Sequence, residues 1–186
     1  MKTLTIIANP ENRRVGLLQK ALANLNLPPA TVISYADLIT GKQKLEQFNS
    51  PDNIIRFDSP EKNFEVDKAI ISVGEELEGG EGEEEEEGVE INNYQRISSR
   101  DVESLEFDKG RILYPRQWYL GWRSLLGRWE KDLDLTLNPC LRRGELRVMN
   151  HPGDIAVMFD KPRCHQRFSK NNIPVARSLG HIHTYE

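Results

Sequence analysis

Cysteine is scarce in this chain, and its scarcity excludes two common ways of stabilising a protein. The 186 residues include two cysteines, Cys140 and Cys164. Two thiols do not make a disulfide framework, and neither has a cysteine or histidine partner at a spacing typical of zinc sites. The histidines of the His181-x-His183 pair lack a third ligand. We therefore expect reduced, unreactive thiols and predict no metal ligands and no catalytic residues in this chain.

Long apolar runs are also missing, which argues against a membrane helix. No apolar stretch approaches the roughly 20 residues that a bilayer requires. The N-terminal sequence MKTLTIIANP contains a five-residue apolar stretch interrupted by Thr5, which is too short for the core of a signal peptide. We therefore expect a cytoplasmic protein with no membrane partner.

Acidic residues are distributed unevenly, so the net charge of −4 conceals a basic body. Ten of the 29 acidic residues lie between positions 75 and 90, with no basic residue among them. Without these ten the chain would carry 25 basic and 19 acidic residues, a net charge of +6. Such a body favours an anionic ligand such as a nucleotide, phosphate or carboxylate, and a solvated basic face is the alternative. Most of the excess follows Lys109: Arg111, Arg116, Arg123, Arg128, Arg142, Arg143, Arg147, Arg163, Arg167 and Arg177.

The acidic tract itself, EELEGGEGEEEEEGVE at positions 75–90, is predicted to be a disordered surface insertion. Its charge density and glycines oppose a packed core, and like charges at short spacing repel one another in a helix. It lacks the alternating ligands and turn glycine of an EF-hand loop, so we predict no calcium site here.

The first 75 residues alternate between strand and helix patterns. Apolar, β-branched runs at 2–8, 31–35 and 53–57 predict three strands. Helical spacing predicts a helix that starts at Asn9-Pro10 and a second over 37–48 that Gly41 interrupts. It also predicts a third helix that Asp58 or Ser59 caps and that ends near residue 73. Short links between the two element types predict an α/β fold with a Rossmann-like parallel sheet and flanking helices.

The first loop is the predicted ligand-binding position of this sheet. Ligands of open parallel sheets gather beyond the carboxyl ends of the strands, and Asn9, Arg13 and Arg14 follow the first strand directly. Helix amides together with two arginines can hold a carboxylate or phosphate. Since the loop has no Gly-x-Gly-x-x-Gly sequence, ordinary dinucleotide binding is not indicated. The alternative is that both arginines only decorate the first turn of the helix.

The second half is expected to contain a tryptophan-rich helix. Residues 111–114 suggest a strand, residues 116–134 a helix, and 133–137 a further strand that Asn138-Pro139 ends. Trp118, Trp122 and Trp129 recur at helical spacing, which is typical of a helix packed on a sheet. Aromatics among arginines also stack on single-stranded nucleic acid, but core packing is the favoured interpretation.

The stretch from 147 to 179 resembles a specific family. A strand ends at Asn150, a short apolar segment ends at Asp160-Lys161, an amphipathic helix capped by Asp160 follows, and Ile173-Pro174-Val175 closes the segment. This order and spacing resemble the end of the N-terminal domain of ATP-grasp ligases, the pre-ATP-grasp domain. Ala176 departs from the family pattern, which usually has a second proline there.

The resemblance implies a division of the chain into a pre-ATP-grasp-like domain at 1–150 and a linker with a helical extension at 151–186 that leads toward an ATP-grasp domain. It implies ATP and magnesium as cofactors of full-length relatives, whereas no site for either can be placed in this sequence. The expected function is the substrate-binding or scaffold part of a carboxylate-amine or carboxylate-thiol ligase-like protein, inactive alone. The alternative is a non-enzymatic module whose arginine-rich face binds anions or nucleic acid, of which nucleic acid is not favoured.

The residues expected to serve this function form two sets. A small anionic substrate is expected to contact Asn9, Arg13, Arg14 and Asn150. The junction toward a separate ATP-grasp domain is expected to use Asp160, Lys161, His165 and Pro174.

Overall fold

The computed structural model describes most of the chain. The described residues are 2–48, 50, 52–60, 63–78, 96–108, 112–142 and 147–175. Positions 79–90 of the predicted acidic insertion lie outside them, as do residues 176–186 of the predicted extension.

Four parallel strands form the centre of the fold, in the order β2-β1-β3-β4. They are β1 (Thr3–Ile7), β2 (Thr31–Ile33), β3 (Asn53–Phe57) and β4 (Arg147–Met149). In this register Ile7 lies opposite both Ile33 and Phe57, and Ile55 lies opposite Val148. The predicted α/β class with a parallel sheet and flanking helices is confirmed.

Seven α-helices and one 3-10 turn accompany the strands in the described part of the chain. The helices are α1 (Arg13–Asn24), α2 (Tyr35–Ile39), α3 (Phe64–Glu78), α4 (Ser99–Val102), α5 (Pro115–Arg142), α6 (Pro152–Phe159) and α7 (Lys161–Lys170), and the 3-10 turn spans Leu45–Phe48. Because α6 and α7 follow β4, the helical extension after the sheet is present within residues 151–175.

The sheet is buried on both faces, as its continuous apolar strands require. Ile7, Ile55 and Phe57 belong to the larger core, which α3 and α5 complete. Their neighbours in β1, above all Ile6, point to the opposite face and pack with Val15 of α1 in a smaller core. Alternation along the strands thus places helices on both faces of the sheet.

The tryptophans of α5 fill the larger core. Trp118, Trp122 and Trp129 are all buried, and Trp122 contacts the rings of both other tryptophans at centroid distances of 6.0 and 5.7 Å. The prediction that they pack in the core is confirmed. With their rings covered, none of the three is available to stack on nucleic-acid bases.

Two glycines allow α3 and α5 to approach each other at backbone distance. A Cβ atom added to Gly74 would lie 1.9 Å from the carbonyl oxygen of Gln117, and one added to Gly121 would lie 1.9 Å from that of Ile70. These distances are far below van der Waals contact, so the two helices meet through their backbones here.

The predicted start of the first helix is wrong by one turn. Asn12, not Asn9, is its N-cap, and the Asn12 side chain accepts a hydrogen bond from the backbone N–H of Arg14. Asn9 to Asn12 instead form a turn in which the Asn12 N–H donates to the Asn9 carbonyl at 2.9 Å. Asn-Pro suits the first two positions of such a turn as well as a helix start, which explains the error.

Two further helix boundaries differ from prediction for the same kind of reason. The second strand ends at Ile33, because the Ser34 hydroxyl accepts from the Asp37 N–H at 3.0 Å and starts α2 at Tyr35. The interruption predicted at Gly41 is confirmed, because α2 ends at Ile39 and Gly41 has a φ of +72°. The third helix begins at Phe64 and not near Ser59, since Asn63 caps it by accepting from the Val66 N–H at 2.9 Å.

Three predictions in the middle of the chain are wrong. Residues 75–78 belong to α3 and not to the disordered insertion, and the Glu75 carboxylate accepts a hydrogen bond from the backbone of Ser99 at 2.6 Å. The described residues 112–114 form no strand, because Tyr114 has a φ of +45°. The strand predicted over 133–137 is helical, since Leu133 continues the buried stripe one turn after Trp129.

Asp67 has a perturbed carboxyl group between α3 and α5. It accepts a hydrogen bond from the indole N–H of Trp118 at 2.9 Å. Burial raises the pKa of Asp67, and this hydrogen bond partly opposes the shift. The folded state therefore binds the proton more tightly than the unfolded chain does, so the contribution of Asp67 to stability is greatest at low pH and declines as pH rises through the folded pKa.

We predict that Asp67→Asn removes the decline in stability that the Asp67 carboxylate causes as pH rises. Asparagine keeps an oxygen that accepts from Trp118 but carries no buried charge. The melting temperature of the variant, measured by circular dichroism, should rise relative to wild type as the pH increases above about 4, the ordinary pKa of an aspartate carboxyl group. Asp52→Asn, at an exposed position, is the control and should show no such trend. A constant deficit of Asp67→Asn at every pH would contradict the prediction.

Candidate functional site

The carboxyl ends of the four strands bring together polar residues from distant parts of the sequence. Asn9 follows β1, Asp58 directly follows β3, and Asn150 directly follows β4, while Tyr35 lies two residues beyond the end of β2. Parallel strands end at one edge of the sheet, so these four residues share that edge. We call them, together with Arg14 and Arg56, the sheet-end cluster.

Asn9 is a buried residue of the cluster that links two loops. It is 1% exposed, and its side-chain amide donates to the carbonyl of Pro60 at 2.5 Å. This bond joins the loop after β1 to the loop after β3, 51 residues along the chain. Asn9 therefore positions the two loops, and the turn that it begins carries the chain to the start of α1.

Asp58 is the charged centre of the cluster. Its side chain is 10% exposed, and its carboxylate lies 3.6 Å from a guanidinium nitrogen of Arg14 and 3.8 Å from one of Arg56. The backbone N–H of Ser59 also donates to it, at 3.1 Å. Two arginines around one carboxylate leave a local excess of positive charge. The Arg14 side chain is 53% exposed, so its guanidinium can contact both Asp58 and a ligand.

Tyr35 contacts the backbone of Asp58. Its hydroxyl donates a short hydrogen bond to the backbone carbonyl of Asp58. Burial strongly raises the pKa of Tyr35, and the Asp58 carboxylate acts in the same direction. Tyr35 is consequently a neutral donor at physiological pH, and it fixes the backbone on which the Asp58 carboxylate stands.

Asn150 places a second amide at the far side of β3. Its side chain donates to the carbonyl of Phe57 at 2.8 Å, and its backbone has a φ of +55°. This left-handed geometry suits asparagine better than most residues. It turns the chain sharply from β4 into α6, for which His151 is the N-cap.

Arg13 lies on the exposed surface at the first position of α1. The helix N-terminus presents backbone N–H groups and a positive dipole end. No acidic side chain occupies the first turn of α1. Arg13, Arg14 and this helix end therefore create one positive surface beside Asp58.

The second predicted set lies at the junction of α6 and α7. Asp160 caps α7 by accepting from the Arg163 N–H at 3.0 Å, as predicted. The Lys161 ammonium donates to the carbonyl of Met158 at 2.9 Å, at the end of α6. His165 is half-buried on α7, and Pro174 is exposed beyond it. These contacts fix the angle between two short helices.

The structure thus brings Asn9, Arg13, Arg14 and Asn150 to the same edge of the sheet, and it places the α6–α7 set on the extension that follows. Sequence reasoning overlooked Asp58, Tyr35 and Arg56. An acidic residue directly after a predicted parallel strand is a signal that could have identified Asp58. Tyr35 and Arg56 carry no comparable signal, because both lie within runs that the sequence pattern predicts as strands.

Comparison with known proteins gives no match: no family model, curated protein or solved structure corresponds to this chain. Among the described residues, no helix is both long and apolar enough to cross a membrane. Nor does that part of the chain contain a group of three or more His, Cys, Asp or Glu residues arranged to hold a metal ion.

Proposed function

We propose that this chain is the N-terminal, substrate-binding part of an ATP-grasp carboxylate-amine or carboxylate-thiol ligase-like protein, with a Rossmann-like pre-ATP-grasp fold. The observation that carries the proposal is the order of elements after the sheet. The parallel strand β4 is followed by Asn150, by α6, and by α7 with Asp160 as its N-cap and Lys161 as its first residue, before Ile173-Pro174. The family resemblance implies this succession.

In this proposal the sheet-end cluster holds a small anionic substrate. Arg13 and Arg14 supply charge at the N-terminus of α1, and Asp58 orients the Arg14 guanidinium. Asn9 and Asn150 keep the loops around β3 in place. A carboxylate or phosphate suits this site because charge-assisted hydrogen bonds from arginine match its geometry.

The role of the chain is to bind and orient that substrate. ATP and Mg²⁺ would supply phosphoryl transfer in a full-length relative, but the described residues offer no ligand set that fits them. We therefore assign neither to a residue of this chain, and we place catalysis with a separate ATP-grasp domain that would meet the α6–α7 junction. Such a protein would work in the cytoplasm.

Inorganic phosphate tests the substrate site. Backbone amide NMR of the full chain titrated with phosphate should show the largest shifts around Asn9 to Arg14 and Asp58. Arg14→Gln should weaken phosphate binding by about tenfold or more, because it removes one charge-assisted contact of about 1.5–3 kcal/mol. Lys20→Gln removes the same charge from an exposed position of α1 and should leave binding nearly unchanged.

Two results would contradict the proposal. Equal weakening by Arg14→Gln and Lys20→Gln would mean that phosphate responds only to net charge. Saturable binding of ATP with Mg²⁺ to the isolated chain at micromolar concentrations would mean that the nucleotide site lies in this chain. We expect neither result.

A further inference from the structure

A second concave site lies against α5. An open cavity of about 310 Å³ is lined by residues between Leu38 and Glu46 and by Arg128, Trp129 and Asp132 of α5. This volume falls at the lower end of the roughly 300–1,000 Å³ of small-molecule sites. No residue proposed to bind the anionic substrate lines it.

The lining of this cavity combines an apolar wall with charges of both signs. Leu38, Leu45 and Trp129 are buried and contribute apolar surface. Two cations, Lys44 and Arg128, and two acids, Glu46 and Asp132, complete the lining. A ligand that carries a positive group, a negative group and an apolar body matches all three kinds of surface.

Gln43 contributes a hydrogen-bond acceptor that lacks a donor. Its side-chain oxygen is buried in the wall and has no hydrogen-bond partner in the described part of the chain. A buried acceptor without a donor is costly. The oxygen has almost no accessible surface in this conformation, so a ligand N–H group would satisfy it once the Gln43 amide turned toward the cavity.

The segment that forms one wall is fixed before any ligand arrives. The Gln43 N–H donates to the carbonyl of Asp37 at 3.1 Å, and the Gly41 N–H donates to that of Leu38 at 3.3 Å. The Lys44 N–H donates to the Gln47 side chain at 3.2 Å. A preformed wall lowers the entropic cost of binding.

We infer that this cavity binds an α-amino acid with an apolar side chain. The carboxylate lies between Lys44 and Arg128, the ammonium group donates to Gln43 and faces Glu46, and the side chain rests on the wall formed by Leu38, Leu45 and Trp129. The site shares no residue with the sheet-end cluster and does not depend on the proposed function.

Four small probes separate the contributions of the ammonium group, the carboxylate and the apolar side chain to binding. L-leucine carries all three groups, isocaproate lacks the ammonium group, isoamylamine lacks the carboxylate, and glycine lacks the side chain. Because Trp129 lines the cavity, tryptophan fluorescence of the full chain should saturate with L-leucine. Each of the other three probes should bind at least about tenfold more weakly, since each lacks one group worth about 1.4 kcal/mol or more.

Variants locate the site. Arg128→Gln should weaken L-leucine binding by about tenfold or more, whereas Gln43→Leu should reduce the preference for L-leucine over isocaproate. Arg123→Gln changes the same charge at an exposed position of α5 outside the cavity and should bind like wild type. Circular dichroism of each variant verifies that it is folded.

The inference is overturned if L-leucine and isocaproate bind equally, if Arg123→Gln weakens binding as much as Arg128→Gln, or if L-leucine gives no saturable signal. It is also overturned if L-leucine shifts the NMR signals of Asn9 to Arg14 and not those of residues 38–46. Since the phosphate titration reports on the sheet-end cluster, failure of one site leaves the result for the other intact.

Discussion

Gly121→Ala is expected to destabilise the fold by about 3 kcal/mol or more. The added methyl group would lie 1.9 Å from the carbonyl oxygen of Ile70 and 2.9 Å from the backbone nitrogen of Gly74. Both obstacles are backbone atoms of a packed helix, so no change of side-chain rotamer relieves the overlap. The helices α3 and α5 must separate, and that separation opens the core around Ile70 and Leu125, which are fully buried.

Gly127→Ala is the matched control on the same helix. No atom outside the local helix lies within 4 Å of the Cβ position at Gly127. Alanine is favoured over glycine in a helix by about 1 kcal/mol, so this variant should be slightly more stable than wild type. Urea denaturation of both variants compares the two sites directly. If Gly121→Ala and Gly127→Ala had the same unfolding midpoint, the close approach of α3 and α5 would be refuted.

Trp122→Ala should cost about 3–5 kcal/mol of unfolding free energy. Trp122 is 1% exposed, and its ring packs against those of Tyr35, Trp118 and Trp129 at centroid distances of 5.5, 6.0 and 5.7 Å. Truncation would leave a large cavity where the helix meets the sheet, and the surrounding rings are too constrained to fill it.

Trp122→Phe separates the contribution of ring packing to stability from that of the indole N–H group. The indole N–H of Trp122 is buried, and no residue that the structure describes accepts a hydrogen bond from it. Phenylalanine keeps an aromatic ring and removes this unsatisfied donor, so the loss should stay below about 2 kcal/mol. Equal destabilisation by Trp122→Phe and Trp122→Ala in urea denaturation would contradict this assignment.

Local sequence patterns determine much of the sheet. Strand β3 was predicted over its full observed span, Asn53–Phe57, because a β-branched apolar run lies between turn residues. The spacing of Trp118, Trp122 and Trp129 predicted the buried face of α5 for a comparable reason. These signals succeed because burial and local propensity agree.

Long-range contacts explain the errors. Asn9-Pro10 is compatible with a helix start and with a turn. In the turn, the Asn9 side chain donates a hydrogen bond to the Pro60 carbonyl. The strand predicted around Leu133 is helical because one tertiary face buries Trp129 and Leu133 together. In each case the deciding partner lies on another element, which a local pattern does not contain.

The candidate site also combines features that could be predicted from the sequence with features that could not. The position of Asn9, Arg14 and Asn150 after strands could be predicted from chain order, since parallel strands end at one edge. The pairing of Arg14 with Asp58 could not, because these residues are 44 positions apart and meet only when β1 and β3 are neighbours. Nor does a local pattern indicate the cavity against α5, because Gln43 and Arg128 line it from parts of the chain that are distant in sequence.

The length of the outer strands affects the behaviour of the protein at high concentration. Both strands at the ends of the described sheet, β2 and β4, have three residues each. A strand of that length offers few unpaired backbone groups to a neighbouring molecule, whereas long flat edges favour edge-to-edge aggregation. The longer, five-residue strands β1 and β3 lie between them. The order of the strands thus protects the segments most prone to intermolecular pairing.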